Sequence, residues 1–319
     1  MLVFVCETVT GGGFEGADLP VDLIAEATLM RDALIGDLED LPGVRVVTTH
    51  DSRLPPPPRG ESSVVEAGIP AREKWKELSG QAHCCWPIAP ETGGELATLA
   101  ALMRRANPRV IACDTATLDI CASKHATSRA LAAAGIRVVT SWRPDEVPAD
   151  ATGPFVVKPD DGAGSVDTFV IANRPSSSLT GAVVQPYVQG APRSLTLLCQ
   201  SGRAHVLAVN HQHVVRSDDR LLFHGVTVGA EPVTDELFAL AKRIYSALPG
   251  LHGLVGVDFI ASREGPMVIE INPRLTTSYA GLRPALAINP VAFIGELIRD
   301  GVVPDLPYLP IATPFEVRL

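Results

Sequence analysis

The sequence predicts an α/β protein with more than one lobe, its later part mixing strands and helices as α+β lobes. Three observations carry that expectation. The chain has 319 residues, more than one small hydrophobic core organises. Its first third alternates short apolar runs with helical stripes, the pattern of a small open α/β layer. Near its end, residues 253–260 and 267–271 read as strands joined through Arg263-Glu264-Gly265-Pro266, an antiparallel hairpin.

Taken in order, residues 2–6 form a buried strand that Thr10-Gly11-Gly12-Gly13 ends. Asp18 is expected to cap a helix with Pro20 in its first turn, and Leu23, Ala27, Met30, Leu34 and Leu38 make its stripe. Strand 44–48, the stiff Pro55–Pro58 loop, helix 70–78, strand 82–88, helix 93–106 and strand 109–113 follow. Ser123-Lys124 opens an alanine-rich helix that Gly135 ends, and 136–140 is extended. Strand 154–159 carries Lys158 near its end; Asp160-Asp161-Gly162-Ala163-Gly164-Ser165 leads into strand 168–171. In Gln185-Pro186-Tyr187-Val188-Gln189 the proline implies an edge strand or a linker between lobes. Several strands over 194–228, an amphipathic helix over 234–248, helices over 276–286 and 290–299, and a surface tail from Pro304 complete the chain. The expected domains are 1–113, a Rossmann-like N-terminal layer, then 114–183 and 184–319.

Composition bounds the function. Hydrophobic residues make up 46% and charged residues 20%, as in ordinary soluble proteins. A net charge of −9 argues against nucleic acid or an anionic membrane as partner, but not against a nucleotide in a local pocket. The six cysteines show no CxxC pair or zinc spacing, which fits buried thiols in a reducing, cytoplasmic setting. Residues 1–6 are apolar but run into Glu7 without a basic flank, so no signal peptide is expected.

Met267-Val268-Ile269-Glu270-Ile271-Asn272-Pro273-Arg274 carries the chemistry. A carboxylate inside a strand is costly unless a cation or donors compensate it. Period two puts Glu270 and Asn272 on one face, and the hairpin brings Asp258 opposite them. Such oxygen ligands suit Mg²⁺, and Arg274 beyond them can reach an anion on the metal. Lys158 followed by a glycine hairpin can pair with phosphates while N–H groups drape over them; no Walker A motif occurs. Read singly, each of these residues is an ordinary sheet, turn or surface polar group. Gly11-Gly12-Gly13-Phe14-Glu15-Gly16 matches the dinucleotide pattern, with Asp51 as ribose acid. The helix starts too late, Glu15 repels phosphate and Asp51 lies too far on. A glycine turn exposing N–H groups and Glu7 to a small substrate is the better reading, with a tight turn that holds no ligand as the alternative.

Lys124, Lys158, the 185–188 linker and the Asp258, Glu270 and Asn272 trio stand in an order that resembles the ATP-grasp superfamily from about residue 114 on. The resemblance implies an ATP-grasp fold clasping ATP between two lobes. Lys124 and Lys158 would hold the phosphates and the adenine side. Gly162, Gly164 and Ser165 would cover the β- and γ-phosphates, and Gln185, Tyr187 and Val188 would meet adenine. Asp258, Glu270 and Asn272 would bind Mg²⁺, or Mn²⁺ in its place, and Arg274 would stabilise the transferred phosphoryl group. Where many relatives carry a ribose-binding glutamate, this chain offers Gln189. Glu270-Ile271-Asn272-Pro273-Arg274-Leu275-Thr276-Thr277-Ser278-Tyr279, with Gly281-Leu282-Arg283, Glu7 and Gly11-Gly12-Gly13, is similar to the tyramine–glutamate ligase group of methanofuran-type cofactor biosynthesis. That implies an ADP-forming carboxylate–amine ligase whose partners are an amino acid and an amine. Glu7, Gly12, Gly13, Arg193 and Arg283 are the substrate-side candidates, and a homodimer is compatible with this reading. Other acid–amine pairs, a non-catalytic nucleotide-binding module and an NAD(P) oxidoreductase are the alternatives.

Overall fold

Four short strands build the first layer of the computed structural model, which describes residues 1–66, 68–162, 166–298, 302–306 and 312–319. Strands β1 (Leu2–Glu7), β2 (Arg45–Asp51), β3 (Glu61–Val65) and β4 (Cys84–Ile88) lie parallel in the order β3-β2-β1-β4. Because β1 is covered on both faces, it reads as an unbroken apolar run. Val3 and Val5 share a core with Met30, Leu34 and Leu38 of helix α1 (Val21–Glu39). Phe4 and Cys6 share the other with Trp75 and Leu78 of α2 (Ala71–Gln81) and Leu99 and Met103 of α3 (Glu95–Ala106). Three expectations need correction here. Helix α1 starts behind Pro20 with no side-chain cap, so Asp18 is not its N-cap. Strand β3 is not foreseen, because Glu61-Ser62-Ser63 lacks an apolar signal. Residues 109–113 form only an isolated bridge, Cys85 with Val110.

The second part opens with α4 (Thr115–Cys121) and α5 (Lys124–Ala133), whose first turns are capped by Asp114 and Ser123. Strands β5 (Phe155–Pro159), β6 (Phe169–Ile171) and β7 (Ala182–Pro186) follow, with β7 on the edge, where Pro186 is tolerated. A division at 183/184 falls inside β7, whose residues pair with β5 through Pro186. The long antiparallel strands are β8 (Ala191–Gln200), β9 (Arg203–Ser217), β10 (Arg220–Glu231), β11 (Gly253–Ser262) and β12 (Gly265–Asn272). Together with β5, β6, β7 and β13 (Phe315–Arg318) they make a nine-stranded sheet among the described residues. Helix α6 (Asp235–Ala247), capped by Thr234, buries Leu237, Leu240 and Ile244.

The C-terminal region departs from expectation. Residues 276–298 give only α7 (Leu282–Leu286) and three 3₁₀ turns, because Gly281, Pro290 and Gly295 interrupt any longer helix. The expected surface tail ends as β13, which pairs with β10 through Val317 and Val226. No helix among the described residues is long and apolar enough to cross a membrane.

Helix α1 ties the first layer to this region. Tyr279 Oη donates to Asp37 Oδ2 at 2.6 Å, and Arg283 Nη1 donates to Asp37 Oδ1 at 2.9 Å. Thr277 donates to Glu26 on the same helix. Asp37 and Tyr279 are both buried, so neither has water as an alternative partner. Asp37→Ala should therefore lower stability by about 1–3 kcal/mol in denaturant titration, the cost of leaving a buried donor unsatisfied. A change within about 0.5 kcal/mol, as for an ordinary surface site, would mean that the latch carries no stability.

Candidate active site

The hairpin of β11 and β12 sets the site. Asp258 pairs directly with Glu270, and Gly256 with Asn272. A bulge follows, since Phe259 pairs with Val268 and skips Ile269. It breaks the strand's alternation, so Ile269 and Glu270 both line the cleft although they are neighbours. Asn272 Nδ2 donates to Asp258 Oδ2 at 3.2 Å, and Gln212 of β9 donates to Asp258 Oδ1 at 2.9 Å.

Opposite stand two lysines from the central lobe. Lys124 Nζ lies 3.4 Å and Lys158 Nζ 3.6 Å from Glu270 Oε2. Lys124 is the first residue of α5, and its buried ammonium is not the solvated helix charge that its sequence context suggests. It donates to Gly162 O at 2.5 Å and so fixes the start of the glycine loop. Asp160 braces the same junction, accepting from Ser123 Oγ at 2.7 Å and His125 N at 2.9 Å. Burial pushes Lys158 below the ordinary lysine range, with Lys124 adding to the effect. Burial alone raises Glu270, but the charges of Lys124 and Lys158 outweigh it and hold the carboxyl at about 2. Burial and the charge of Glu270 push Asp258 up to about 8.

This donor set fits a hard divalent cation. Glu270 Oε2 is buried without a hydrogen bond, and two carboxylates face each other where one is kept from ionising. Among the described residues no cluster of three His, Cys, Asp or Glu exists, so the site offers two carboxylates and an amide. Mg²⁺ is commonly held by one or two carboxylates while water and phosphate oxygens complete its shell.

Further along, Val139, Val156, Val214, Leu221, Phe223 and Ile260 give the cleft an apolar end beside Gln185, Tyr187 and Val188. Gln185 Nε2 donates to Ser141 Oγ at 2.6 Å, and Tyr187 N–H is already bound to Pro154 O at 2.9 Å. The other end is polar, with Arg274, Thr276, Thr277, Ser278 and Glu26. Arg274 is gripped by Glu91, Nε lying 3.0 Å from Oε1 and Nη2 donating to Oε2 at 3.0 Å. Burial works against the guanidinium's charge, but Glu91 overcomes it and raises Arg274 further.

Ten of the expected residues thus line one cleft: Lys124, Lys158, Gly162, Gln185, Tyr187, Val188, Asp258, Glu270, Asn272 and Arg274. Gly164 and Ser165 lie outside the described residues. Gln189 is exposed and does not line the cleft. The substrate-side expectations do not converge there either. Glu7 is buried and closes its own turn, accepting from Val9 N at 3.0 Å and from Thr10 N at 2.6 Å, so it is not presented to a ligand. Gly12, at φ +98°, packs on Val65, and Gly13 N donates to Thr8 O at 2.9 Å. Arg193 pairs with Glu231, Arg283 serves the Asp37 latch, and Asp51 is held by Arg53. Glu26, Glu91, Asp160 and Gln212 are the functional-site residues that sequence reasoning misses. Glu91 had a signal, since it follows a parallel strand at the carboxyl edge of the sheet, where such folds bind ligands.

Comparison with known proteins agrees with this geometry. Residues 121–278 match the ATP-grasp domain family, and residues 44–118 match the pre ATP-grasp 3 domain family. The chain is similar to tyramine–L-glutamate ligase of Methanocaldococcus jannaschii, 27% identical over 202 residues, which cover 63% of this chain and 59% of that protein. It is 26% identical over 202 residues to the protein of that name from Methanocaldococcus fervens, covering 63% of this chain and 62% of the relative. Among solved structures, an ATP-grasp superfamily protein from Archaeoglobus fulgidus superposes with a TM-score of 0.72 at 19% identity, over 100% of this chain and 99% of that one. An L-amino acid ligase from Bacillus licheniformis gives 0.63 at 16% identity, over 92% of this chain and 73% of that one. Those two likenesses are of fold. Residues 121–278 belong to the ATP-grasp domain family, and a pre ATP-grasp domain at residues 44–118 leads into them.

Proposed function

We propose that the protein is an ATP-dependent, ADP-forming carboxylate–amine ligase that joins the γ-carboxylate of L-glutamate to tyramine. The observation that carries this reading is the convergence of Lys124, Lys158, Asp258, Glu270, Asn272 and Arg274 on one cleft with an apolar end. The curated relatives named as tyramine–L-glutamate ligases support the substrate pair. A second acid–amine pair served by the same nucleotide site is the alternative, favoured by the absence of Glu7, Arg193 and Arg283 from the cleft lining.

The chemistry follows from the two ends of the cleft. The apolar end, with Gln185 at its edge, suits a purine ring, which leaves the phosphates beside Lys158 and Lys124. Bound at Asp258, Glu270 and Asn272, Mg²⁺ supplies charge neutralisation for the phosphoryl group in flight. A substrate carboxylate oxygen at the Arg274 end attacks the γ-phosphorus, the bond to ADP breaks, and an acyl phosphate forms. Arg274 stabilises the charge on the transferring group. The amine nitrogen then attacks the acyl carbon, phosphate leaves with the carbon–oxygen bonding pair, and the nitrogen loses a proton to give the amide. Gly162, anchored by Lys124, holds one end of the loop that would exclude water from the acyl phosphate.

Two outcomes are expected. ADP release with Mg-ATP, L-glutamate and tyramine should require all three, and the product mass should be that of both substrates less one water. Release of ADP at the same rate without either acid or amine would contradict ligase chemistry on this pair. Lys158→Ala should raise the ATP concentration at half-saturation by about ten-fold or more, the loss of one charge-assisted phosphate contact. Unchanged ATP dependence would make Lys158 a structural partner of Glu270 only.

A further inference from the structure

The grip on Arg274 comes from the N-terminal domain, outside the lobes that hold the nucleotide residues. Glu91 lies on the loop that leaves β4, three residues beyond Ile88, whose carbonyl accepts from Thr8 N at 3.0 Å. Its carboxylate accepts one hydrogen bond from Arg274 Nη2, while Nε lies 3.0 Å from Oε1 in ion-pair contact without a hydrogen bond, and the two side chains are 8% and 9% exposed. Arg274 Nη1 makes one further bond, to Leu275 O at 3.1 Å. A guanidinium has five N–H groups, so this arrangement leaves one on each terminal nitrogen for an anion in the cleft that Arg274 lines.

The same loop reaches across the cleft. Thr92 Oγ1 donates to Asp161 O at 3.0 Å, and Gly93 N donates to Asp161 Oδ2 at 3.0 Å. Asp161 stands next to Gly162, which Lys124 holds. One loop of the N-terminal domain therefore touches both the arginine and the root of the glycine loop. Building on the ligase reading above, we infer that Glu91 is a positioning residue for phosphoryl transfer, setting Arg274 in the geometry that meets the transferring phosphoryl group.

The sign of the charge separates this role from simple anion binding. A carboxylate beside the arginine weakens its pull on any anion, so Glu91 does not serve nucleotide affinity. What the buried Glu91 pairing adds is a fixed direction for the remaining N–H groups, which counts where charge develops and not in the ground state. Losing Glu91 should leave nucleotide binding intact and damage only the state that resembles transfer.

Calorimetric titration with Mg-ADP, alone and with aluminium fluoride as the phosphoryl mimic, reads this without choosing an acid or an amine. Wild-type protein should bind the mixture more tightly than Mg-ADP. Glu91→Gln should keep the Mg-ADP affinity within about two-fold yet lose at least about ten-fold of the fluoride increment, in line with removing a preorganised donor. Glu91→Asp, which keeps the charge but shortens the reach, should fall between them, and its thermal midpoint reports that the fold is kept. Adding Glu91→Gln to Arg274→Ala should cause no further loss. A full increment in Glu91→Gln, with the increment gone in Arg274→Ala, would overturn the positioning role while leaving Arg274's part standing. No increment in wild type, or one that survives Arg274→Ala, would remove the reading of Arg274 and the inference with it.

Discussion

One carboxylate shared by two buried ammonium groups is the constraint around which the site is arranged. Glu270 comes from β12, Lys124 from the start of α5 and Lys158 from β5. Like charges this close repel unless an anion lies between them, and buried ions are tolerated only when paired. Glu270 meets that need in the free protein, while ATP phosphates can share it in the bound one. The same carboxylate leaves Asp258 raised, so the acid pair is poised for a cation whose binding lets both ionise. The lysines and the acids are thus one electrostatic unit, whose balance a metal and a nucleotide bound there would change.

The N-terminal domain contributes more than a platform. Its helix α1 is latched to residues 277–283 through Asp37, Tyr279 and Arg283, and its 91–93 loop reaches Arg274 and Asp161. Both contacts join segments far apart in sequence. Glu26, Thr277 and Ser278, side chains drawn from two domains, line the polar end of the cleft. The N-terminal domain and the lobes that follow are therefore joined by one buried ion pair, Glu91 with Arg274, and by hydrogen bonds at Asp37 and Asp161, and not by packing alone.

Much of this was legible in the sequence, for physical reasons. Strand β1 shows because both of its faces are buried, and Glu270 shows because an acid inside a β-forming run needs an explanation. A two-residue turn at Arg263-Glu264 sets the hairpin, but on its own it would place Asp258 against Ile269; the bulge after Asp258, which nothing in the sequence marks, moves it to Glu270. What escaped were groups whose role depends on distant partners. Glu91 and Arg274 lie 183 positions apart, and neither residue advertises the other. Glu7 misled, because an acid after a strand can serve a ligand or its own turn, and only the bonds to Val9 and Thr10 decide. Strand β13 hid in a proline-rich tail since four residues carry too little pattern to be recognised.

The account stands most directly on equilibrium binding of ATP to the free protein, titrated calorimetrically with and without Mg²⁺. It predicts saturable binding of one ATP per chain that Mg²⁺ strengthens, because Asp258, Glu270 and Asn272 would hold the ion. Absent binding, or an affinity indifferent to Mg²⁺, would contradict it and leave the lysine–carboxylate cluster without the role assigned to it.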